Sequence, residues 1–360
     1  MYCDTLYIVN QIGLLGGTGY TGRLVVKELL AQKLPFALGI RNKSKLYEVL
    51  DEFSLNELKS NPDQYQVASV DVTDEDSLKR FYEKIDTVIS TVGPFCKLGK
   101  LPVVVANETK TNYIDSTGEP EFMKWIYNNF NPEQNFIVPA CGFDYLPGDL
   151  ISNKCLSDLD ENEHASIEIT YAISHWIPTR GTAESAIMAF VNSDDPGKID
   201  EISFLDKNLS RLKIPWGEET TVGLHHPNAD VSCYISVNKM VGEVLKFMTP
   251  LTRLAIPLLE KSTKFLPEGP NADRRRKATY DIYVKATAGS NSSYGIFNGI
   301  DIYGTTAIML ILSAQNASGI GTMAPSQAFD TLTMLKDISN FEIKSDDLKG
   351  ATCNYSFVKP

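Results

Sequence analysis

The sequence predicts an α/β protein with an N-terminal doubly wound parallel sheet, followed by a second α+β domain with a mixed sheet. Three observations lead to this prediction. In the first 150 residues, short apolar runs alternate with segments of helical periodicity, which is typical of a parallel sheet covered on both faces. A glycine-rich turn joins the first apolar run to the first helical segment. Further on, apolar and polar residues alternate as in a half-buried strand, for example in HASIEITYAISH (164–175).

The N-terminal elements follow one another in strand–helix order. Thr73 and Asp76 resemble a capping box at the start of one helix. A central parallel strand should be continuously apolar, yet Asn10 and Gln11 directly precede the first apolar run, so the start of that strand stays open. The predicted strands are 12–16, 36–40, 66–72, 86–93, 112–117 and 135–142, and the predicted helices are 21–32, 44–53, 73–85, 100–110 and 119–130.

The second part contains strands and one buried helix. The segment TTAIMLILSA (305–314) predicts a core helix, because it is shorter than the ~18 apolar residues that a membrane-spanning helix needs. In TRGTAESAIMAF (179–190) we expect a loop and then a helix, whose N-terminus either receives an anionic or carbonyl group or is plainly capped. The large mixed sheet suits substrate walls or a homodimer interface. Its further predicted strands are 230–237, 278–289 and 299–304.

The glycine-rich turn, GGTGYTG, lies between the first strand and the first helix. Gly16 allows the tight turn, Gly19 allows close approach of a pyrophosphate, and Gly22 lets the helix pack on the strand. The helix N-terminus favours a phosphate there. This pattern predicts a dinucleotide site of the Rossmann type, and a purely structural turn is the alternative. The predicted contacts are Gly16, Thr18, Gly19, Tyr20, Thr21 and Gly22.

The second strand ends in GIRNKSKL, which offers cations and no carboxylate. An NAD site would place Asp or Glu here, whereas cations suit the 2′-phosphate of NADP. Arg41 is able to bind that phosphate with two hydrogen bonds and to stack on the adenine. We therefore predict NADP rather than NAD as the cofactor, with a solvated basic turn as the alternative. The further predicted contacts are Lys43, Lys45, Asp71 for the adenine amino group, and Val92, Gly93 and Pro94 where the cofactor crosses the strand ends.

Six segments in order resemble the saccharopine dehydrogenase-like oxidoreductases, which include trans-acting enoyl reductases. They are GGTGYTG, TVGPF with a following LG, YIDSTGE, CGFDYLPGDL, RGTAES and YGTTA. The resemblance implies an NAD(P)-dependent oxidoreductase that acts near lipid droplets or membranes, including in glycolipid synthesis. It also implies a Rossmann domain, a second α+β domain and a last helix that returns to the first. The expected bounds are 1–148, 149–322, 323–345 for the returning segment and 346–360 for a tail.

Two departures from that family pattern bear on the site. Gly17 stands where the family usually has Ala, which is a small change, and Tyr145 stands where it usually has Ser. Ligands bind beyond the carboxyl ends of parallel strands, so Asp144 or Tyr145 is the candidate proton donor. The alternative is that Asp144 and Asp149 only order the turn around Pro147. Other residues at these strand ends are Asp115, Thr117, Cys141 and Phe143, of which Cys141 lacks a neighbour that would activate it as a nucleophile.

Other known catalytic sequence patterns are either missing or best explained as chance matches. The Tyr355–Lys359 spacing matches a reductase pair but lies far from the predicted sheet. The four histidines show no metal spacing, and we expect the His225–His226 pair to lie on the surface. We therefore predict no metal site.

The segment VLKFMTPLTRLAIPLLEKSTKFL (244–266) is apolar and carries four basic residues against one acidic residue. Pro250 and Pro257 prevent one straight helix. Three interpretations stay open: an interfacial segment on anionic lipid, a lid over an apolar substrate, and a buried helical hairpin. The run DRRRK (273–277) either faces a membrane too or is simply solvated.

Composition limits the function classes. The net charge of −11 argues against a general nucleic-acid binder. Scattered cysteines and the absence of a signal-peptide pattern predict a cytoplasmic, non-secreted chain, with peripheral attachment to lipid droplets or membranes left open. The leading hypothesis is an NADP(H)-dependent reductase of a hydrophobic, lipid-linked enoyl or keto substrate. The alternatives are an NADP-binding scaffold with little turnover and a saccharopine reductase.

Overall fold

The computed structural model describes residues 11–159, 163–179, 199–204, 207–237 and 268–358. Within these ranges the strands form two seven-stranded sheets. The strands are β1 (Ile12–Leu15), β2 (Phe36–Ile40), β3 (Tyr65–Ser69), β4 (Thr87–Ser90), β5 (Asn112–Asp115), β6 (Phe136–Val138), β7 (Ala165–Ser174), β8 (Ile199–Phe204), β9 (Lys207–Ile214), β10 (Ala229–Ser236), β11 (Thr279–Ala288), β12 (Asn291–Ile300), β13 (Gly321–Thr322) and β14 (Thr352–Val358).

Helices cover the first sheet and line its junction with the second. They are α1 (Tyr20–Ala31), α2 (Lys43–Val49), α3 (Glu52–Ser60), α4 (Glu75–Tyr82), α5 (Phe95–Leu98), α6 (Lys100–Thr109), α7 (Pro120–Asn129), α8 (Leu146–Ser157), α9 (Glu218–His225), α10 (Ala272–Arg275), α11 (Ile302–Asn316), α12 (Pro325–Ala328) and α13 (Thr331–Ser339).

The first sheet has the order β3-β2-β1-β4-β5-β6, with β13 added beyond β6, and all of its pairs are parallel. This is the doubly wound order in which a dinucleotide binds where the strand order reverses. All of β1, β2 and β4 is buried, as expected for strands covered on both faces. The predicted parallel sheet is therefore confirmed.

The second sheet has the order β14-β12-β11-β7-β10-β9-β8. Only β7 and β10 pair in parallel, and the other neighbours are antiparallel. The predicted second domain with a mixed sheet is confirmed. Its strand β7 covers almost all of the alternating segment predicted at 164–175.

Several predicted element bounds were wrong, and three of these differences have a clear local reason. The helix predicted at 44–53 is two helices, because Leu50 is extended and Asp51 caps α3 through the Ser54 N–H at 2.8 Å. Helix α4 is capped by Asp74, which accepts the Ser77 N–H at 3.1 Å, and not by Thr73. The strand predicted at 299–304 stops at Ile300, since Asp301 adopts φ 68° and caps α11 by accepting the Gly304 N–H.

Helix α11 is the buried helix predicted from its apolar composition. Residues 302–314 are all buried, and the helix packs against α1 and against the first sheet. Its cap, Asp301, pairs with Arg275 at 2.9 Å, and both side chains are almost fully buried. The prediction that DRRRK is a solvated or membrane-facing run was therefore wrong for Arg275. This side chain is buried because it pairs with Asp301, the cap of α11.

The C-terminal part of the chain supports α1. The carboxylate of Glu28 is fully buried and accepts the backbone N–H groups of Lys344 and Ser345, each at 3.0 Å. Lys27, one residue earlier, pairs with Asp347 at 2.5 Å. The first helix is thus held by residues that come more than three hundred positions later in the chain.

Candidate functional site

The glycine-rich turn has the geometry that a dinucleotide pyrophosphate requires. Gly16 has φ +83°, and the Gly19 N–H donates to its carbonyl at 2.8 Å. A Cβ at Gly22 would overlap that same carbonyl oxygen, so only glycine lets α1 lie against the turn. A Cβ at Gly19 would meet nothing but the Gly16 carbonyl, at 3.2 Å, so this face of the turn is open. The first turn of α1 has neither an acidic residue nor a side-chain cap, which leaves its N–H groups to a phosphate.

The predicted cations lie at the end of β2. Arg41, Lys43 and Lys45 are all exposed, and Lys45 is 3.9 Å from Glu268. Asp71 follows β3 and accepts the N–H and the hydroxyl of Thr73 at 2.9 and 2.7 Å. These hydrogen bonds hold the pKa of Asp71 below its ordinary value, and the Arg41 charge lowers it further. A ribose phosphate at this edge would therefore meet cations next to an ionised aspartate.

A cavity of about 370 Å³ opens beyond the carboxyl ends of the first sheet. One wall belongs to the first domain and includes Thr21, Gly93, Pro94 and Ser116. The opposite wall comes from the second domain and from α11, and it is largely apolar and aromatic. The residues of that opposite wall are Tyr171, Ile173, Trp176, Ile214, Trp216, Ile235, Ile302, Tyr303 and Thr306.

Asp144 and Tyr145 are placed differently. Asp144 lines the cavity, and its carboxyl has no hydrogen-bond or ion-pair partner among the residues that the structure describes. Burial raises its pKa to about 6. Tyr145 is fully buried, and its hydroxyl donates to the Gly118 carbonyl at 2.8 Å. Burial raises the pKa of Tyr145 well above its ordinary value. Of the two candidates, Asp144 is the one at the cavity surface.

The other predicted strand-end residues organise the backbone. Asp115 is fully buried, and one oxygen accepts the N–H groups of Thr117 and Ala140, each at 2.9 Å. Burial raises its pKa to about 7. Cys141 is fully buried, which raises its pKa, and its thiol points to the Val138 carbonyl at 3.3 Å. Asp115 thus ties the end of β5 to the end of β6, while Phe143 lines the cavity.

Two polar side chains singled out in the sequence, Tyr20 and His225, have partners in distant parts of the chain. The hydroxyl of Tyr20 bonds to the Pro270 carbonyl and accepts from Arg275 at 3.1 Å, so this side chain reaches into the second domain. His225 lies at the end of α9 and bonds to Asp149 at 2.8 Å. The prediction that His225 is a surface histidine was wrong, because its side chain is only 9% exposed against the fully buried Asp149.

The sequence did not reveal the polar residues on the second-domain wall. Tyr171 and Glu218 form a buried hydrogen-bonded pair, and Trp216 donates to the Asp144 carbonyl at 3.2 Å. The alternation around Tyr171 marked a half-buried strand, but the strand alone does not show what it faces. Nothing in EETTVGLH indicated that its first glutamate is fully buried.

Some predictions lie outside the described residues. They concern the interfacial segment 244–266, most of the loop and helix at 179–190, Asn10 and Lys359. Among the residues that are described, no group of three or more His, Cys, Asp or Glu is arranged to hold a metal ion. In the same ranges, every helix is too short or too polar to cross a membrane.

The sheet order, the open glycine-rich turn and the cavity at the strand ends define the class of the N-terminal domain as NAD(P)-binding. A family model described as NAD(P)H-binding matches residues 16–114. The chain is 30% identical over 207 residues to a protein of Arabidopsis thaliana named a probable mitochondrial saccharopine dehydrogenase-like oxidoreductase, covering 52% of this chain and 44% of that one. The predicted resemblance to the saccharopine dehydrogenase-like oxidoreductases is thereby confirmed.

Two further relatives have other names. A lipid droplet localized protein of Caenorhabditis elegans is 35% identical over 145 residues, which cover 38% of this chain and 33% of the relative. A trans-acting enoyl reductase of Mycobacterium ulcerans is 31% identical over 147 residues, which cover 39% and 34%. The chain thus spans less than half the length of these relatives.

One solved structure is similar to this chain over most of its length. Saccharopine dehydrogenase (L-Glu forming) from Saccharomyces cerevisiae matches with a TM-score of 0.57 and 12% identity, covering 97% of this chain and 100% of that chain. At this identity the match shows a shared fold, with a Rossmann domain and a second domain.

Proposed function

We propose that this chain is an NADP(H)-dependent oxidoreductase that reduces a hydrophobic enoyl or keto substrate at a lipid surface. The observation that carries the proposal is the cavity, which joins the strand ends beside the dinucleotide turn to an apolar wall of the second domain. A bound dinucleotide supplies the hydride. The N–H groups of α1 hold its pyrophosphate, and Arg41 and Lys43 hold its 2′-phosphate.

Asp144 is the proposed proton donor. It lies on the cavity surface, and its carboxyl has no partner among the described residues, so a substrate group is free to approach it. A pKa of about 6 keeps part of the population protonated near neutral pH, which suits a general acid. The apolar wall excludes water from the substrate on the opposite side.

The lipid surface in this proposal rests on two observations. One relative carries the name of a lipid droplet localized protein. The segment 244–266 combines apolar residues with four basic ones in a chain that is acidic overall, which suits contact with anionic lipid. The enoyl group is suggested by the name of the Mycobacterium ulcerans relative.

Turnover tests the function directly. NADPH consumption is followed with a long-chain α,β-unsaturated aldehyde and a long-chain methyl ketone, each presented in neutral detergent or in anionic vesicles. We expect turnover with at least one probe, and a higher rate on vesicles. The rate falls as the pH rises through about 6, because Asp144 then loses the proton that it donates.

One variant and two outcomes determine how the turnover experiment is interpreted. Asp144→Asn should bind NADPH as the wild type does but lose the decrease in rate above pH 6. Equal rates in detergent and on vesicles count against the lipid surface. Tight NADPH binding with no turnover of either probe favours the scaffold alternative over the enzyme.

The choice of NADP is tested by thermal stability. A ligand at a hundred times its Kd stabilises a protein by ~2.7 kcal/mol, so NADPH should raise the melting temperature more than NADH at equal concentration. Arg41→Asp should reverse this order, because it replaces the phosphate ligand with a partner for ribose hydroxyls. The matched control is Arg80→Asp, another exposed arginine, located on α4. Equal shifts from both nucleotides in the wild type would rule out the role of Arg41.

A further inference from the structure

A buried tyrosine–glutamate pair lies behind the second-domain wall of the cavity. Tyr171 belongs to β7, lines the cavity and is 3% exposed. Its hydroxyl forms a hydrogen bond with Oε1 of Glu218, the first residue of α9. Glu218 is fully buried, and its second carboxyl oxygen, Oε2, lies 3.9 Å from the thiol of Cys233. A carboxyl group is thus buried with a cavity tyrosine as its principal partner.

The backbone leaves room for this pair. A Cβ at Gly148, on α8, would overlap Oε1 of Glu218 and would lie 2.9 Å from the Tyr171 hydroxyl oxygen. The contact therefore depends on a glycine from a third element. Three elements, β7, α8 and α9, converge on the hydroxyl of a tyrosine that lines the cavity.

The Tyr171 hydroxyl also contacts a backbone carbonyl that has a second hydrogen-bond donor. It lies 2.7 Å from the backbone carbonyl of Asp144. That carbonyl accepts a second hydrogen bond, from the indole N–H of Trp216 at 3.2 Å. A buried carbonyl that loses its hydrogen-bond donor is destabilising. Because Trp216 still donates to the Asp144 carbonyl, the Tyr171 hydroxyl is able to donate to another acceptor without that cost.

Glu218 directs this hydrogen. Burial raises the pKa of Glu218 well above its ordinary value, which favours the neutral carboxyl. The contact between Tyr171 and Glu218 allows donation in either direction. When the neutral carboxyl donates, its O–H bonds to the oxygen of Tyr171. The hydrogen of Tyr171 then points away from Glu218, toward the Asp144 carbonyl or toward a ligand in the cavity.

We propose that the Tyr171 hydroxyl is a catalytic hydrogen-bond donor to the carbonyl oxygen of the substrate, and that Glu218 is a positioning residue for it. The inference rests on the proposed reductase function and deepens it. When a hydride adds to the carbon of a ketone, the electron pair of the C=O bond moves to the oxygen, and Tyr171 stabilises that charge. The proton from Asp144 then completes the alcohol, so two groups that line the cavity have separate roles.

The decisive measurement is the infrared carbonyl band of an isotope-labelled long-chain methyl ketone bound to the NADP⁺ complex. A hydrogen bond from Tyr171 lowers the frequency of this band, and Tyr171→Phe should return it to the value in an apolar solvent. The matched control is Tyr283→Phe, since Tyr283 lies in the same sheet but accepts from Lys207 at 2.6 Å. In turnover, Tyr171→Phe should lower kcat by about 100-fold or more, as the loss of one oxyanion donor does, with NADPH affinity unchanged.

Glu218 is tested by a conservative pair of variants. Glu218→Gln keeps an N–H donor toward Tyr171 and should preserve the low-frequency band. Glu218→Met removes the partner that holds the Tyr171 hydroxyl in place, so the band should broaden and move part of the way back to its value in an apolar solvent. Circular dichroism and NADPH titration show whether each variant is folded. If the carbonyl band has the same frequency in Glu218→Met as in the wild type, Glu218 does not position Tyr171.

The remaining outcomes separate this inference from the proposed function. The same band position in the wild type and in Tyr171→Phe overturns the role of Tyr171, whatever the turnover. A ketone that fails to bind the wild type overturns it as well. A band shift that depends on Tyr171, without turnover of any probe, supports the carbonyl site and contradicts the reductase.

Discussion

Replacing Gly22 with alanine is expected to abolish dinucleotide binding and to destabilise the protein. The added methyl group would overlap the Gly16 carbonyl oxygen, which is backbone and is fixed by the Gly19 N–H at 2.8 Å. Neither atom is able to move as a flexible side chain would. Overpacking of this kind costs about 1–3 kcal/mol. The turn must open to relieve it, and the N–H groups of α1 then no longer converge on one phosphate.

Gly19→Ala is the matched control for this prediction. Its Cβ would meet only the Gly16 carbonyl at 3.2 Å, so the fold should tolerate it with a small change in melting temperature. The methyl group would nevertheless stand on the open face where the pyrophosphate approaches. A loss of about 1.4 kcal/mol is tenfold in affinity, so we expect NADPH to bind at least tenfold more weakly by titration. If both variants bind NADPH as the wild type does, the turn is only structural.

Arg275→Leu is expected to have the largest effect on stability. Arg275 pairs with Asp301 at 2.9 Å, and their side chains are 4% and 1% exposed. Removal of the arginine leaves the carboxylate buried without a counter-charge, which typically costs about 3–5 kcal/mol. The arginine also donates to Tyr20 at 3.1 Å, so its loss releases the side chain that follows the glycine-rich turn. Urea denaturation measures the change in the free energy of unfolding.

Arg276→Leu provides the comparison within the same basic run. Arg276 pairs with Asp273 at the surface, where the side chains are 38% and 79% exposed. Surface ion pairs contribute about 1 kcal/mol or less. A similar loss for both variants would show that burial of Arg275 is not the cause.

The sequence correctly predicted the features that depend on residues close to one another in the chain. The alternation of apolar runs and helical segments led to the parallel sheet, and the glycine spacing led to the turn at Gly16 and Gly22, where only glycine fits. The apolar composition of 305–314 led to a buried helix. Each of these features depends on residues close in sequence, whose pattern is constrained by a single element.

Tertiary contacts decided the features that were missed. Arg275 belongs to a run that is otherwise exposed, and only the cap of α11 makes it a buried ion-pair partner. Tyr145 and Tyr171 are both buried tyrosines near one cavity, yet the first bonds to Gly118 and the second lines the cavity wall. No spacing in the sequence distinguishes them, because β7 meets the strand ends of the first sheet only in the folded protein.

The contacts of α1 also bear on the order of folding. This helix is synthesised before the residues that support it, since Tyr20 bonds to Pro270 and the carboxylate of Glu28 accepts from Lys344 and Ser345. Contacts of such high sequence separation form late, since the loop that they close is long. A nascent chain that has just completed its first sheet therefore still lacks the two backbone donors to Glu28, whose carboxylate at that stage keeps its contact with Gln32. The end of the molecule that carries the glycine-rich turn reaches its final form only after the ribosome has delivered Lys344 and Ser345.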